Sequence, residues 1–158
     1  DRGYPDIAFL GGPARARTTQ DRLQGFLDAA RTAGVTARYF FAEDYAFEAG
    51  RHAMVRHLRS SPAAAAYGCG DDVIAMGALS ALQDAGLSVP HDVGVMGIND
   101  MAMAGWPNIA LTTIRQPAAE IVAATVEMIE QGIASQSALA ASRLFPCTLI
   151  DRTTLRPR

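Results

Sequence analysis

Short apolar runs alternate along this chain with longer stretches in which apolar residues recur every three or four positions. Glycine, proline or a polar cluster separates one kind from the other. The runs predict strands at Asp6–Leu10, Val35–Phe41, Ala63–Tyr67 and Val93–Ile98. Between them the spacing predicts three helices. The first starts near Thr18 or Thr19, either of which suits a cap, carries Leu23, Phe26, Leu27 and Ala30, and stops at Gly34. The second runs from about Tyr45 to Leu58 with Phe47, Met54, Val55 and Leu58 on its inner side. The third runs from Val73 to Ala85 with Ile74, Ala78, Leu82 and Ala85 in register, and Gly86 and Pro90 end it. Strand–helix alternation of this kind, with right-handed crossovers, builds a three-layer α/β fold on a parallel sheet.

Beyond Asp100 the rhythm changes. Met101 to Trp106 has room for one helical turn, and Ile109–Ile114 follows as a strand with no full helix before it. Pro117 suits the first turn of a helix reaching Gln131 and ending at Gly132. Ser135–Ser142 reads as a small-residue linker and Leu144–Arg152 as a last strand.

Composition narrows the function. A chain of 158 residues, 49% hydrophobic and 19% charged, suits one soluble domain. The net charge of −2 offers no basic face for nucleic acid, and no apolar run is long enough to span a membrane. The two cysteines, Cys69 and Cys147, form no framework and read as reduced thiols of a cytoplasmic protein. His52, His57 and His91 lack metal-ligand spacing; His52 and His57 read as solvated, and neither a metal site nor a cofactor is expected. Gly11-Gly12-Pro13 matches no phosphate-binding fingerprint and reads as a tight turn. No Ser-His-Asp or Cys-His order is present, so enzyme chemistry has no positive signal.

One constellation remains. Thr18, Arg22, Tyr45, Asp71 and Asn99 each fall at the carboxyl end of a different predicted strand or just inside the helix beyond it. Open α/β sheets bind ligands along that edge. A guanidinium, a carboxylate, an amide, a hydroxyl and an aromatic face together suit a polyhydroxylated ligand, through charge-assisted hydrogen bonds and stacking on its C–H face. Taken singly, Arg22 and Tyr45 would be ordinary surface residues, and Asp71 or Asp72 a helix cap.

Several stretches also resemble the LacI/GalR family of bacterial transcriptional regulators. GCGDDVIAMGALSALQDAGLSVPHDVGVMGINDM is similar to the family's central pattern, PNIALTTIRQP to its LTTI strand, and RLQGF at Arg22–Phe26 to its R-x-x-G-F motif. The opening DRGYPDIAFLGG and the ending LIDRTTLRP fit as well. The resemblance implies part of a two-lobed sensor of the periplasmic-binding-protein-like type, mostly its second lobe. It assigns 1–100 to the second lobe, 101–116 to a crossover, 117–134 to a first-lobe helix and 143–158 to a return strand. The DNA-binding head and most of the first lobe would lie outside the chain. Thr18, Arg22, Tyr45, Asp71, Asn99 and Gln116 match family positions that touch effector. Met76, Leu79, Met101, Met103 and Trp106 match the region where members dimerise. The implied partners are a sugar or nucleoside-like effector, a second copy of the chain, and operator DNA through the missing head.

The chain departs from the family in one respect. Members commonly carry Asn-Asp where this chain has Asp71-Asp72, and Asp-Asp where it has Asn99-Asp100. The first residue of each pair is exchanged, so one carboxylate and one amide come from opposite walls. The first reading is therefore an effector sensor of a repressor. The alternatives are a secreted sugar-binding protein of a transporter and, behind it, a hydrolase or transferase using Asp71 or Asp72 as base.

Overall fold

The computed structural model describes residues 2–135 and 142–157. Its strands are β1 (Asp6–Gly11), β2 (Thr36–Phe41), β3 (Ala66–Cys69), β4 (Gly94–Ile98), β5 (Thr112–Arg115) and β6 (Thr148–Ile150). Its helices are α1 (Arg17–Ala33), α2 (Phe47–Ser60), α3 (Asp72–Asp84) and α4 (Ala118–Ser135), with one 3-10 turn at Ala102–Gly105. The expected α/β sheet is present, in the order β2-β1-β3-β4-β5-β6. The first five strands in this order are parallel. β6 runs antiparallel to β5, with Thr148 opposite Arg115. The chain leaves β5 and re-enters β6 at the same edge, so a parallel return is not available to it.

Side-chain alternation divides the sheet into two faces. Ala8, Leu10, Tyr67, Cys69 and Val95 point to one face and meet Met54 of α2 and Ile74, Ala78 and Leu82 of α3 in a single buried cluster. Phe9 points to the other face, where it packs on Phe26 of α1 at 5.5 Å between ring centroids. This gives the three layers. α2 and α3 approach so closely that a Cβ on Gly77 would overlap the Phe47 carbonyl oxygen, and one on Gly50 would lie 2.6 Å from that of Ile74. Neither helix tolerates a side chain at that crossing.

Several local expectations are corrected. α1 starts at Arg17 behind an Ala16 N-cap with no side-chain cap, so neither Thr18 nor Thr19 caps it. α2 starts at Phe47 rather than Tyr45, and Phe47 itself is 40% exposed. Ala85 is exposed, lying past the end of α3. α4 runs through Gly132 to Ser135, and the linker expected at Ser135–Ser142 lies almost wholly outside the described residues. His57 is not solvated. Its ring stacks on Phe40 at 4.1 Å and 6° and meets Tyr67 edge-on, and its Nε2 is buried with no hydrogen-bond partner among the described residues. Burial, and then the charge of Arg38, hold its pKa below the ordinary 6.5. Sequence spacing set His57 on the surface; the aromatic shelf on β2 and β3 draws it inward.

Candidate functional site

Because β1 to β5 are parallel, the loops that follow them all open on one edge of the sheet. The polar residues singled out from the sequence fall there in three pairs. The first is Thr18 with Tyr45. The Tyr45 hydroxyl lies 3.1 Å from Thr18 Oγ1 and 2.6 Å from the fully buried Thr19 Oγ1. Its ring covers Gly12 so closely that a Cβ there would lie 2.5 Å from it. The Gly11-Gly12 turn is thus a seat for Tyr45, and Thr19, expected only as a possible cap, is the residue that orients the phenol.

The second pair is Arg22 with Asp71. Arg22 Nη1 donates to the Gly70 carbonyl at 2.5 Å, which brings the guanidinium beside Asp71. Asp71 is the N-cap of α3, its Oδ1 accepting the Ile74 N–H at 2.8 Å. Its side chain is nearly buried, and burial pushes its carboxyl above the ordinary 3.8. The Ile74 N–H, Arg22 and the Val73 N–H pull the other way. Asp71 therefore caps α3 at the same strand edge that carries Arg22.

The third pair is Asn99 with Gln116, whose Nε2 donates to Asn99 Oδ1 at 2.6 Å. Asn99 is exposed and Gln116 half-buried. With Thr18 exposed and Arg22 and Tyr45 half-buried, the set forms an open wall rather than an enclosed pocket. Concavities lie elsewhere. One of about 370 Å³ sits between the end of α3 and residues 107–110, and an apolar one of about 320 Å³ lies on the α1 face around Phe26, Met96 and Leu149.

The residues that follow Asp71 and Asn99 are both engaged within the chain. Asp72 is fully buried; its Oδ1 accepts the Thr113 hydroxyl at 2.5 Å and its Oδ2 the Met101 N–H at 2.7 Å. Burial raises its pKa despite those two donors, and Asp100 and Asp71 add to the rise. A carboxylate so enclosed has no access to a substrate, which removes Asp72 as a general base. Asp100 is gripped by Arg115 at 2.5 Å and Arg152 at 2.7 Å. Burial opposes its charge, but the two guanidinium groups outweigh it and hold its pKa below 3.8. Thr113, Arg115 and Arg152 carried no signal in the sequence because their partners lie 13 to 52 positions away. Among the described residues no group of three His, Cys, Asp or Glu could hold a metal ion, and no helix is long and apolar enough to cross a membrane.

Of the residues set at a dimer face, Met76 is only 8% exposed and Leu79 packs against the core, so the chain itself covers much of both. Met101 and Met103 are half-buried and Trp106 is 51% exposed.

A sequence model of the periplasmic binding protein-like domain matches residues 1–155. The chain is 33% identical over 158 residues to the HTH-type transcriptional repressor CytR of Escherichia coli K12, covering 99% of this chain and 46% of that protein. It is 40% identical over 119 residues to the HTH-type transcriptional repressor PurR of Salmonella heidelberg, covering 74% of this chain and 35% of that one. Among solved structures, a regulatory protein of the LacI family from Chloroflexus aggregans superposes with a TM-score of 0.85 at 30% identity. That match covers 98% of this chain and 56% of the other. The chain thus spans about half the length of the curated relatives it matches.

Proposed function

The chain belongs to the periplasmic-binding-protein-like domain family, in the form carried by LacI-family regulators, and we propose that it is the effector-sensing portion of such a repressor. The observation that carries this reading is the convergence of Thr18–Tyr45, Arg22–Asp71 and Asn99–Gln116 on the carboxyl edge of parallel strands. That edge is where open α/β sheets bind ligand.

The chemistry favours a neutral polyhydroxylated effector, a sugar or nucleoside. Arg22 and Asp71 present one positive and one negative group, so a ligand bearing net charge gains little. Vicinal hydroxyls can donate to Asp71 and accept from Arg22, and a flat ring or C–H face can lie on Tyr45. Residues 1–100 supply one wall of a two-walled cleft. Residues 101–116 cross over, 117–134 give a helix to the other lobe, and 143–158 return. The open geometry of the wall agrees with a ligand that is closed over from the opposite side. The protein acts in the cytoplasm as a homodimer, without catalysis, and operator DNA is contacted by residues outside 1–158. The net charge of −2 supports that last point.

Titration of the 158-residue chain with D-ribose and with adenosine, followed by amide and side-chain NMR resonances, tests the reading. Saturable shifts are expected at Asp71, Asn99, Gln116 and Arg22. Shifts confined to other faces would refute it.

A further inference from the structure

Two consecutive non-glycine residues at the cleft edge have positive φ, Asn99 at 117° and Asp100 at 54°. Asparagine and aspartate enter the left-handed region at modest cost, but 117° lies well beyond it, in territory that glycine fills. Such a conformation persists only where its surroundings over-determine it, and it concentrates at functional sites.

The surroundings here are specific. The Asn99 N–H donates to the Ile114 carbonyl at 2.8 Å. The Asp100 N–H donates to Thr113 Oγ1 at 3.3 Å, and the Met101 N–H to the buried Asp72 at 2.7 Å. The Asp100 carboxylate is held by Arg115 from the rim, where that side chain is 57% exposed, and by Arg152 from within, where it is 21% exposed. Arg152 Nη1 also donates to the Leu111 carbonyl at 2.7 Å, while its Nη2 donates to Asp100. One planar guanidinium thus ties the turn to the backbone just before β5. A lysine, with a single nitrogen, cannot hold both acceptors in that fixed fork.

We infer that Arg152 is a positioning residue of the ligand cleft: through Asp100 it holds the Asn99 turn in the strained conformation that presents the Asn99 side chain beside Gln116. Arg152 touches no ligand on this account. It follows β6, far from the cleft in sequence, and acts by removing the turn's freedom to relax. The role of Asn99 as a ligand contact rests on the function proposed above; the clamp itself does not.

The test uses the 158-residue chain as Arg152→Met, Arg152→Lys, Asn99→Gly and the Arg152→Met/Asn99→Gly double variant. In Arg152→Met, exchange of the Asp100 and Met101 amides should accelerate at least tenfold relative to the Tyr67 amide, and the side-chain resonances of Asn99 and Gln116 should move. Arg152→Lys should recover part of that protection. Glycine adopts φ near 117° without strain, so the double variant should return the Asp100 and Met101 amides toward wild-type protection. If Arg152 only adds stability, Arg152→Met would lower the melting temperature while leaving those amides and side chains in place, and glycine would recover nothing; that result overturns the clamp. In a separate arm, whichever of D-ribose and adenosine binds wild type should bind Arg152→Met about tenfold more weakly. If neither perturbs wild type, the effector reading fails, while the clamp is judged on the ligand-free spectra alone.

Discussion

Gln116 donates from its side-chain nitrogen to the Asn99 side-chain carbonyl at 2.6 Å, joining the turn after β4 to the chain that leaves β5. With its oxygen so engaged, Asn99 keeps its amide nitrogen as a donor for the cleft. In the turn after the neighbouring strand β3, Asp71 carries the carboxylate. The two residues follow adjacent strands and stand on the same wall, which corrects the expectation of opposite walls. On the proposed function, the turn after β3 accepts from the ligand and the turn after β4 donates.

Asp71→Asn separates the two duties of Asp71. Asparagine caps as well as aspartate, so the stability of α3 should be nearly unchanged, whereas Asp71→Ala should cost about 1 kcal/mol. Affinity for the bound sugar or nucleoside should fall roughly tenfold or more in both, because a hydrogen bond to a charged group is worth about 1.5–3 kcal/mol. Asn99→Asp on the Asp71→Asn background should restore part of the loss. Strictly additive effects in the double variant would mean that the two positions do not act on a shared ligand group.

His57 makes stability depend on pH near neutrality. Its folded pKa lies below 6.5, so the unfolded chain takes up the proton first as pH falls. The contribution of the neutral, stacked ring is complete above about pH 6.5 and is lost as pH drops through that value toward the folded one. His57→Phe keeps an aromatic ring on Phe40 and has nothing to titrate. Urea midpoints at pH 7.5 and pH 5.0 should therefore differ less in His57→Phe than in wild type, and an equal difference would exclude His57 as the source.

The sheet was legible in the sequence because short apolar runs fall on or beside its strands and are separated by a glycine, a proline or a polar pair. A parallel sheet then followed from general rules of connection, and with it the placement of Thr18, Arg22, Tyr45, Asp71 and Asn99 along one edge; the strand order itself was not legible. The direction of β6 was not legible, since it depends on where α4 releases the chain rather than on the residues of the strand. Nor was the division of labour within the acidic pairs. Asp71 and Asp72 are neighbours of identical chemistry, yet one caps at the cleft and the other is buried under Thr113 and Met101. Long-range partners such as Arg152 decide such cases, and a local pattern does not encode them.

α4 carries an outward apolar stripe. Val122 is 61% exposed, Val126 49%, Ile129 56% and Ile133 73%, while among the described residues of the helix only Ala124 is buried. On its other side Ile121 and Met128 line a hollow with Phe145 and Cys147 of the returning chain. A stripe of this width on an amphipathic helix requires a partner. Ile129→Glu with Ile133→Lys should raise solubility and reduce concentration-dependent association without lowering the melting temperature of the sheet. Hydrogen exchange in α4 should be much faster than in β4 when the chain is dilute. Equal protection in a monomer would mean that the stripe is already covered within the chain.

Trp106 is the residue on which the proposed dimer face depends. Met76 is nearly buried and Leu79 leans on the core, so neither offers much new area to a second copy. Trp106 leaves half its surface in solvent at the end of the 3-10 turn, beside the hollow lined by Leu79, Gln83, Pro107 and Ile109. An isologous contact sets that patch against itself, and a tryptophan seated next to a hollow is a common hot spot, worth about 2 kcal/mol or more. Trp106→Asp should therefore raise the dimer dissociation constant thirtyfold or more in sedimentation while leaving the melting temperature of the monomer close to wild type. Met76→Ala should act in the opposite sense, lowering stability by roughly 2 kcal/mol through the cavity it leaves, with a smaller effect on association. A chain that is strictly monomeric at high micromolar concentration would count against the interface, and association that ignores Trp106→Asp would move the contact to another face.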